Sequence, residues 1–225
     1  MEYMKNNLLK HIRHDIIEIC IKETGEKATG RIFCLMGKSS SGKDTILQKL
    51  LADEALELSC VVTYTTRPKR DKEIEGREYH FITESELKSF ERNGKVIEKR
   101  RYNTVKGTWF YATIDDGAID ISRNDYILVS TLAAFRHLKE YFGNDKVVPL
   151  YIEIDDDVRL ERALNRERNM AEPNYEEMCR RYLADSVDFS KEKLCENGID
   201  NSNVYNNNDL ERCVESIKKD IKAKI

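Results

Sequence analysis

Apolar and polar positions change rhythm several times along this chain. Residues 32–36 are an unbroken apolar run, Ile-Phe-Cys-Leu-Met, which predicts a strand buried on both faces. From Ile46 the rhythm becomes helical, with Ile46, Leu47, Leu50 and Leu51 on one side. The β-branched stretch 58–66 and the short run 79–82 predict strands. Thr83-Glu84-Ser85-Glu86 then opens a helix as a capping box, and Asn93-Gly94 closes it. Residues 95–102 and 108–113 predict two further strands joined by a polar connection.

Helix and strand alternate from there to the end. Helices are predicted over 114–123 and 133–142, and strands over 126–129 and 147–154. Pro149 is tolerable in the latter only near an edge or an end. Asp155-Asp156-Asp157 caps a helix carrying Arg159, Arg162, Arg166 and Arg168, and a loop over 170–174 leads to a helix from Tyr175 past Arg180 and Arg181. A short strand over 203–206 precedes a closing helix over 209–222. Asp209 is its expected N-cap, and Lys218, Lys219 and Lys222 suit its C-terminal end. Near the start, Leu9, Ile12, Ile16, Ile19 and Cys20 predict a helix ended by Gly25. That helix either packs on the domain or serves oligomerisation, packing being favoured.

The order strand, Gly37-Lys-Ser-Ser-Ser-Gly42, Lys43, helix is the order a phosphate-binding loop requires. Gly37 and Gly42 allow backbone angles that turn N–H groups toward phosphate oxygens, beside the positive end of a helix. Lys43 is expected to reach the β- and γ-phosphates. Gly37, Ser39, Ser40, Ser41, Gly42, Lys43, Asp44 and Thr45 are thus the candidate ATP site. Asp44 stands where the motif has a Ser or Thr that helps hold Mg²⁺. A carboxylate about 4 Å from a phosphate oxygen is repelled by roughly 4 kcal/mol at an effective dielectric of about 20. Asp44 is therefore expected either to coordinate the bridging Mg²⁺ or to point away.

The resulting fold class is α/β: a P-loop NTPase-type parallel sheet flanked by helices, with a small strand-rich insert, to which the family resemblance set out below adds a helical lid. The expected division is an N-terminal extension over 1–29, a core over 30–59 and 114–225 with its lid at about 156–182, and the insert over 60–113. A chain of 225 residues can bury such a core. With 40% hydrophobic and 35% charged residues it is globular, and a net charge of −3 argues against a general nucleic-acid binder. No apolar run approaches the roughly 20 residues of a membrane span. Six scattered cysteines and four histidines show no metal-ligand or CxxC spacing. Several of the cysteines point to core packing in a reducing compartment, the histidines to structural or surface positions, and a cytoplasmic location is expected.

Thr63, Arg67, Arg70 and Tyr79 lie close together in the insert. Paired guanidinium groups and hydroxyls can grip a phosphate dianion, or form an exposed basic turn. The surrounding motifs carry more. Thr65-Thr66-Arg67-Pro68-Lys69-Arg70 is followed by a segment, 72–81, that holds Glu73, Gly76, Tyr79 and Phe81. Glu98 comes after the next helix, and Tyr111-Ala112-Thr113 follows it. In this order, over about residues 30–222, the chain resembles the guanylate kinases.

The resemblance implies ATP-dependent phosphorylation of GMP or dGMP with Mg²⁺ and no covalent intermediate. Arg67, Arg70, Tyr79 and Tyr111 would contact the monophosphate, and Thr63, Glu98 and Thr113 the guanine. Arg162, Arg166 and Arg181 match lid arginines, and Asn207 an asparagine beside the adenine of ATP. The implied partners are ATP and GMP, with no nucleic acid or membrane, in a monomer or homodimer. The chain departs from the pattern at 129–131, where Val-Ser-Thr replaces a strand-end acid, and at Ala112, where the family has glycine. Gly-Lys-Asp and the missing acid also resemble the ribose 1,5-bisphosphate phosphokinases, whose acceptor is a sugar phosphate. Guanylate-kinase-like modules that bind peptides without catalysis are a further alternative. Lys43 and the lid arginines, all present here, favour the enzyme.

Overall fold

The computed structural model describes residues 30–225 apart from 72, 105 and 106; the predicted N-terminal helix lies outside the described residues. The chain forms two compact units, one of residues 31–61 with 125–225 and one containing 62–124 with Gly30.

The first unit is built on a five-stranded sheet. Its strands are β1 (Ile32–Met36), β2 (Leu58–Cys60), β7 (Asp125–Val129), β8 (Val147–Glu153) and β9 (Val204–Asn206), in the order β2-β7-β1-β8-β9. Every pairing is parallel. Every residue of β1 is fully buried, as its unbroken apolar run requires. Pro149 pairs with Cys34 of β1, and β9 joins β8 only from Tyr151 onward. The missing N–H of Pro149 therefore falls beyond the β9 ladder, and the strand tolerates it.

Seven α-helices are described, six of them here. They are α1 (Lys43–Leu51), α3 (Leu132–Phe142), α4 (Asp156–Arg168), α5 (Tyr175–Asp188), α6 (Lys191–Glu196) and α7 (Leu210–Lys222) in this unit, and α2 (Glu84–Arg92) in the other. α7 turns Cys213, Val214, Ile217 and Ile221 inward at helical spacing, onto Phe33, Leu35, Ile46, Leu50 and Tyr205. Each such side chain contributes about 2 kcal/mol by leaving water. Asp209 caps α7 as expected, accepting from the Arg212 N–H. Asp155 precedes α4 without capping it, because its carboxylate accepts from Asn208 Nδ2 at 2.8 Å instead.

The second unit holds a four-stranded sheet, β4-β3-β6-β5, formed by β3 (Tyr64–Thr65), β4 (His80–Phe81), β5 (Val96–Thr104) and β6 (Gly107–Ile114). The predicted strand over 58–66 is thus two strands in different sheets. The helix predicted over 114–123 is absent: Ile114 ends β6, and turns follow. Asp116 and Asp120 accept from the N–H groups two residues on, at 2.9 and 3.0 Å, and Gly117 has φ +92°, so local bonds replace helical ones.

α2 begins with the predicted capping box of Thr83 and Glu86. It packs Leu87 on Tyr64, Ala112 and Ile114, covering one face of this sheet. A bulge in β5 decides what lies on the other face. Val96 pairs with Ile114 on the α2 side, whereas Glu98 pairs with Thr113. The extra residue reverses the strand's alternation and sends Glu98 to the face away from α2.

Candidate active site

In the first unit, β1 runs straight into the glycine-rich loop. Gly37 has φ +151°, and a Cβ there would meet the Ile152 carbonyl oxygen at 2.5 Å, so the chain passes too close to β8 for any side chain. Gly42 is left-handed at φ +90° and packs against the Asn207 amide. Ser40 is also left-handed, at φ +63°, and its hydroxyl is buried without a partner among the described residues. Strain of this kind and a partnerless buried polar atom in one residue mark a loop shaped for something other than its own stability.

Lys43 opens α1. Its ammonium donates to the carbonyls of Gly37 and Lys38 at 2.7 and 2.8 Å. Loss of hydration pushes its pKa down to about 8; Arg181 and Arg166 act in the same direction, opposed by Asp44 and Asp185. Asp44 and Thr45 follow on the exposed side of the first turn.

The lid arginines predicted from the sequence are brought to this loop. Arg162 Nη2 donates to the Asn207 carbonyl at 3.4 Å. Arg181 Nη2 donates to Ser39 Oγ at 3.2 Å. Arg166 lines a hollow shared with Ser39 and Arg181. Asn207 is buried, and its Nδ2 donates to the Ser41 carbonyl at 2.7 Å, so it ties the loop to the segment after β9.

Arg159 and Asp185 carry no site assignment in the sequence reading. Arg159 is fully buried, with its guanidinium 3.6 Å from the Tyr182 ring centre, 3.0 Å from Asp156 and 3.6 Å from Asp185. Asp185 in turn accepts from the Ser39 backbone N–H. Four arginines within one helix hide such a residue; only the i, i+3 spacing of Asp156 and Arg159 hints at it.

In the second unit, the buried Arg67 and the partly buried Glu73 form a pair with two parallel bonds of 2.8 and 2.7 Å. Arg67 also lies 5.4 Å from the Tyr79 ring centre. The guanidinium holds the Glu73 carboxyl down to about 2, helped by the Arg70 backbone N–H. The Arg70 side chain is exposed. Tyr79 and Tyr111 meet edge to face at 5.5 Å. Glu98 is 3% exposed and accepts from Thr113 Oγ1 at 2.9 Å, so this predicted base-facing pair is adjacent. Thr63 is partly buried, and its carbonyl accepts from the His80 N–H. Arg100, two residues beyond Glu98 on the same strand face, was not anticipated.

A parallel sheet carrying a P-loop and a ring of arginines defines an α/β nucleotide-binding phosphotransferase. The family model described as guanylate kinase matches residues 29–224. The chain belongs to the guanylate kinase family, and it is a nucleoside monophosphate kinase. It is 31% identical over 199 residues to the guanylate kinase of Mycoplasma mobile, covering 87% of this chain and 94% of that one. It is 29% identical to that of Paraburkholderia xenovorans over 77% of this chain and 74% of the other. The crystal structure of guanylate kinase from Anaplasma phagocytophilum superimposes with a TM-score of 0.59 at 25% identity, covering 88% and 87% of the two chains. Among the described residues no helix is long and apolar enough to cross a membrane.

Proposed function

We propose that this chain transfers the γ-phosphoryl group of ATP to GMP or dGMP, giving ADP and GDP or dGDP. The observation that carries the acceptor assignment is the bulge-directed placement of Glu98 beside Thr113. A desolvated carboxylate accepts from the N1–H and exocyclic amine of guanine, a donor pair that adenine lacks. Arg67 and Arg70, with Tyr79 and Tyr111, supply charge and hydroxyls for the acceptor phosphate.

At the donor end the loop N–H groups and Lys43 hold the triphosphate, and Arg162, Arg166 and Arg181 neutralise charge on the transferring group. Transfer is in line, so positioning and electrostatics do the work and no covalent intermediate forms. Mg²⁺ bound with ATP would neutralise charge on the phosphates during transfer, with Asp44 as the side chain that would help hold it. The described residues contain no cluster of three metal-ligating side chains. One exposed carboxylate beside the loop, Asp44, fits an ion held mainly by phosphates and water.

A coupled assay over GMP, dGMP, AMP, UMP and ribose 1,5-bisphosphate tests the reading. GMP and dGMP are expected to turn over at least a hundredfold more efficiently than the others. Preference for the sugar phosphate, or no turnover of GMP, overturns it.

A further inference from the structure

Arg100 is a charged group on the acceptor face that the motifs leave unassigned. It follows Glu98 by two residues beyond the bulge, so both side chains leave β5 on the same face. Its Nε and Nη2 donate to the two Glu98 oxygens at 3.0 and 3.2 Å. Those bonds use one edge of the guanidinium fork. Nη1 and the second N–H of Nη2, on the other edge, have no acceptor among the described residues. Its side chain is 22% exposed against 1% for Glu98, so the arginine is the more accessible of the two. Tyr111 is its cross-strand partner and stacks edge to face with Tyr102 at 5.4 Å, which walls the position with aromatic surface.

We propose that Arg100 is a specificity-determining residue for the acceptor base, reading the O6/N7 edge of guanine while Glu98 reads the donor edge. The proposal rests on the GMP reading above. A carboxylate and a guanidinium side by side present acceptors next to donors. Guanine presents N1–H and its amine next to O6 and N7, the complementary order. An arginine fork on O6 and N7 is the commonest specific contact to guanine, because both partners are planar and bidentate. Adenine carries an amine at the O6 position, so its donor meets the donors of Arg100. With Val-Ser-Thr at 129–131 and no carboxylate there, base discrimination falls on this strand face.

Steady-state kinetics of the full chain with GMP, IMP and AMP test this, using Arg100→Met, Arg100→Lys and Glu98→Gln with thermal unfolding as the folding control. IMP keeps O6 and N7 but lacks the amine. Arg100→Met is expected to raise KM for GMP and for IMP by the same factor, about 10- to 100-fold. kcat stays within a few-fold and the high KM for AMP does not move. Arg100→Lys recovers only part of the loss, because a lysine has no fork. Glu98→Gln raises KM for GMP more than for IMP. If Arg100→Met shifts GMP no more than AMP, or lowers kcat at constant KM, Arg100 merely neutralises Glu98 and the proposal fails. Were the methionine variant not to fold, an unchanged KM for GMP and IMP in Arg100→Lys overturns it, and a rise in both supports it. Failure of the GMP reading is seen separately, in a wild-type chain that turns over none of the purine monophosphates.

Discussion

Asp185 Oδ2 lies 2.7 Å from the backbone nitrogen of Ser39, so a carboxylate of α5 holds an N–H of the phosphate-binding loop. The same carboxylate faces Arg159, which is fully buried. Removing Asp185 leaves that guanidinium with only the exposed Asp156. Asp185→Ala is expected to destabilise the chain by about 3 kcal/mol, and Arg159→Met by less, because a buried charge without its partner costs more than an apolar replacement. The double variant should recover part of the loss. Urea unfolding of the four proteins measures the coupling, and strict additivity would show that the pair does not act as one unit.

Glu73 supplies a pH signature. Its carboxyl is held near 2 in the fold against 4.5 in the free chain. A depressed acid stabilises the folded state at pH values above 4.5, and that contribution disappears as pH falls toward 2. Glu73→Gln should therefore be less stable than wild type at pH 7, by about 3 kcal/mol for a buried Arg67 left without its counter-charge. The difference should shrink steadily below pH 4.5. Urea midpoints between pH 7 and 3 measure it; a gap that stays constant with pH would assign the stabilisation elsewhere.

Lys43 titrates in the opposite direction. Its pKa of about 8 means that the ammonium loses its proton as pH rises through that value. kcat/KM for ATP reports the free enzyme and should fall above pH 8. Stability moves the other way: between 8 and 10.5 the unfolded chain binds more protons, so this group favours the fold increasingly as pH rises. Lys43→Ala should abolish transfer, by at least a thousandfold, and keep the fold. A pH profile for ATP that stays flat to pH 10 contradicts this account of the loop.

Asp44→Ser tests the metal. The variant is expected to keep transfer while moving the Mg²⁺ concentration at half-maximal rate several-fold. Binding of metal-free ATP should tighten by roughly five- to tenfold, because a carboxylate no longer faces the triphosphate. Titration of the rate with Mg²⁺ and calorimetry with ATP alone read the two effects. An unchanged Mg²⁺ profile would make Asp44 a bystander.

The elements with a strong rhythm were legible in the sequence. The apolar run of β1, the capping box at Thr83 and the inward face of α7 follow from local composition. What escaped depends on partners far along the chain. Nothing in residues 58–66 signals that Leu58 to Cys60 joins β7 while Tyr64 and Thr65 join β4 and β6. The bulge between Val96 and Glu98 is a relation to β6, not a property of either residue. Motif order singles out Glu98, whereas Arg100 reads in the sequence as one basic residue among several. Arg159 was invisible because its burial is set by Tyr182 and Asp185, more than a helix away. The turns after Ile114 are hidden from the periodicity because Asp116 and Asp120 bond locally in place of helical bonds.

Residues 62–124 of the second unit are an uninterrupted stretch of chain set between the two pieces, 31–61 and 125–225, of the first. The two ends of that stretch leave from β2 and β7, which are hydrogen-bonded neighbours, with the Val61 N–H on the Ile127 carbonyl. A segment whose ends are already clasped together can vary greatly in length at little entropic cost, since closure grows only as the logarithm of loop length. The stretch is in effect a cassette: its contents can be rewritten while the parallel sheet and the glycine-rich loop it carries are inherited intact.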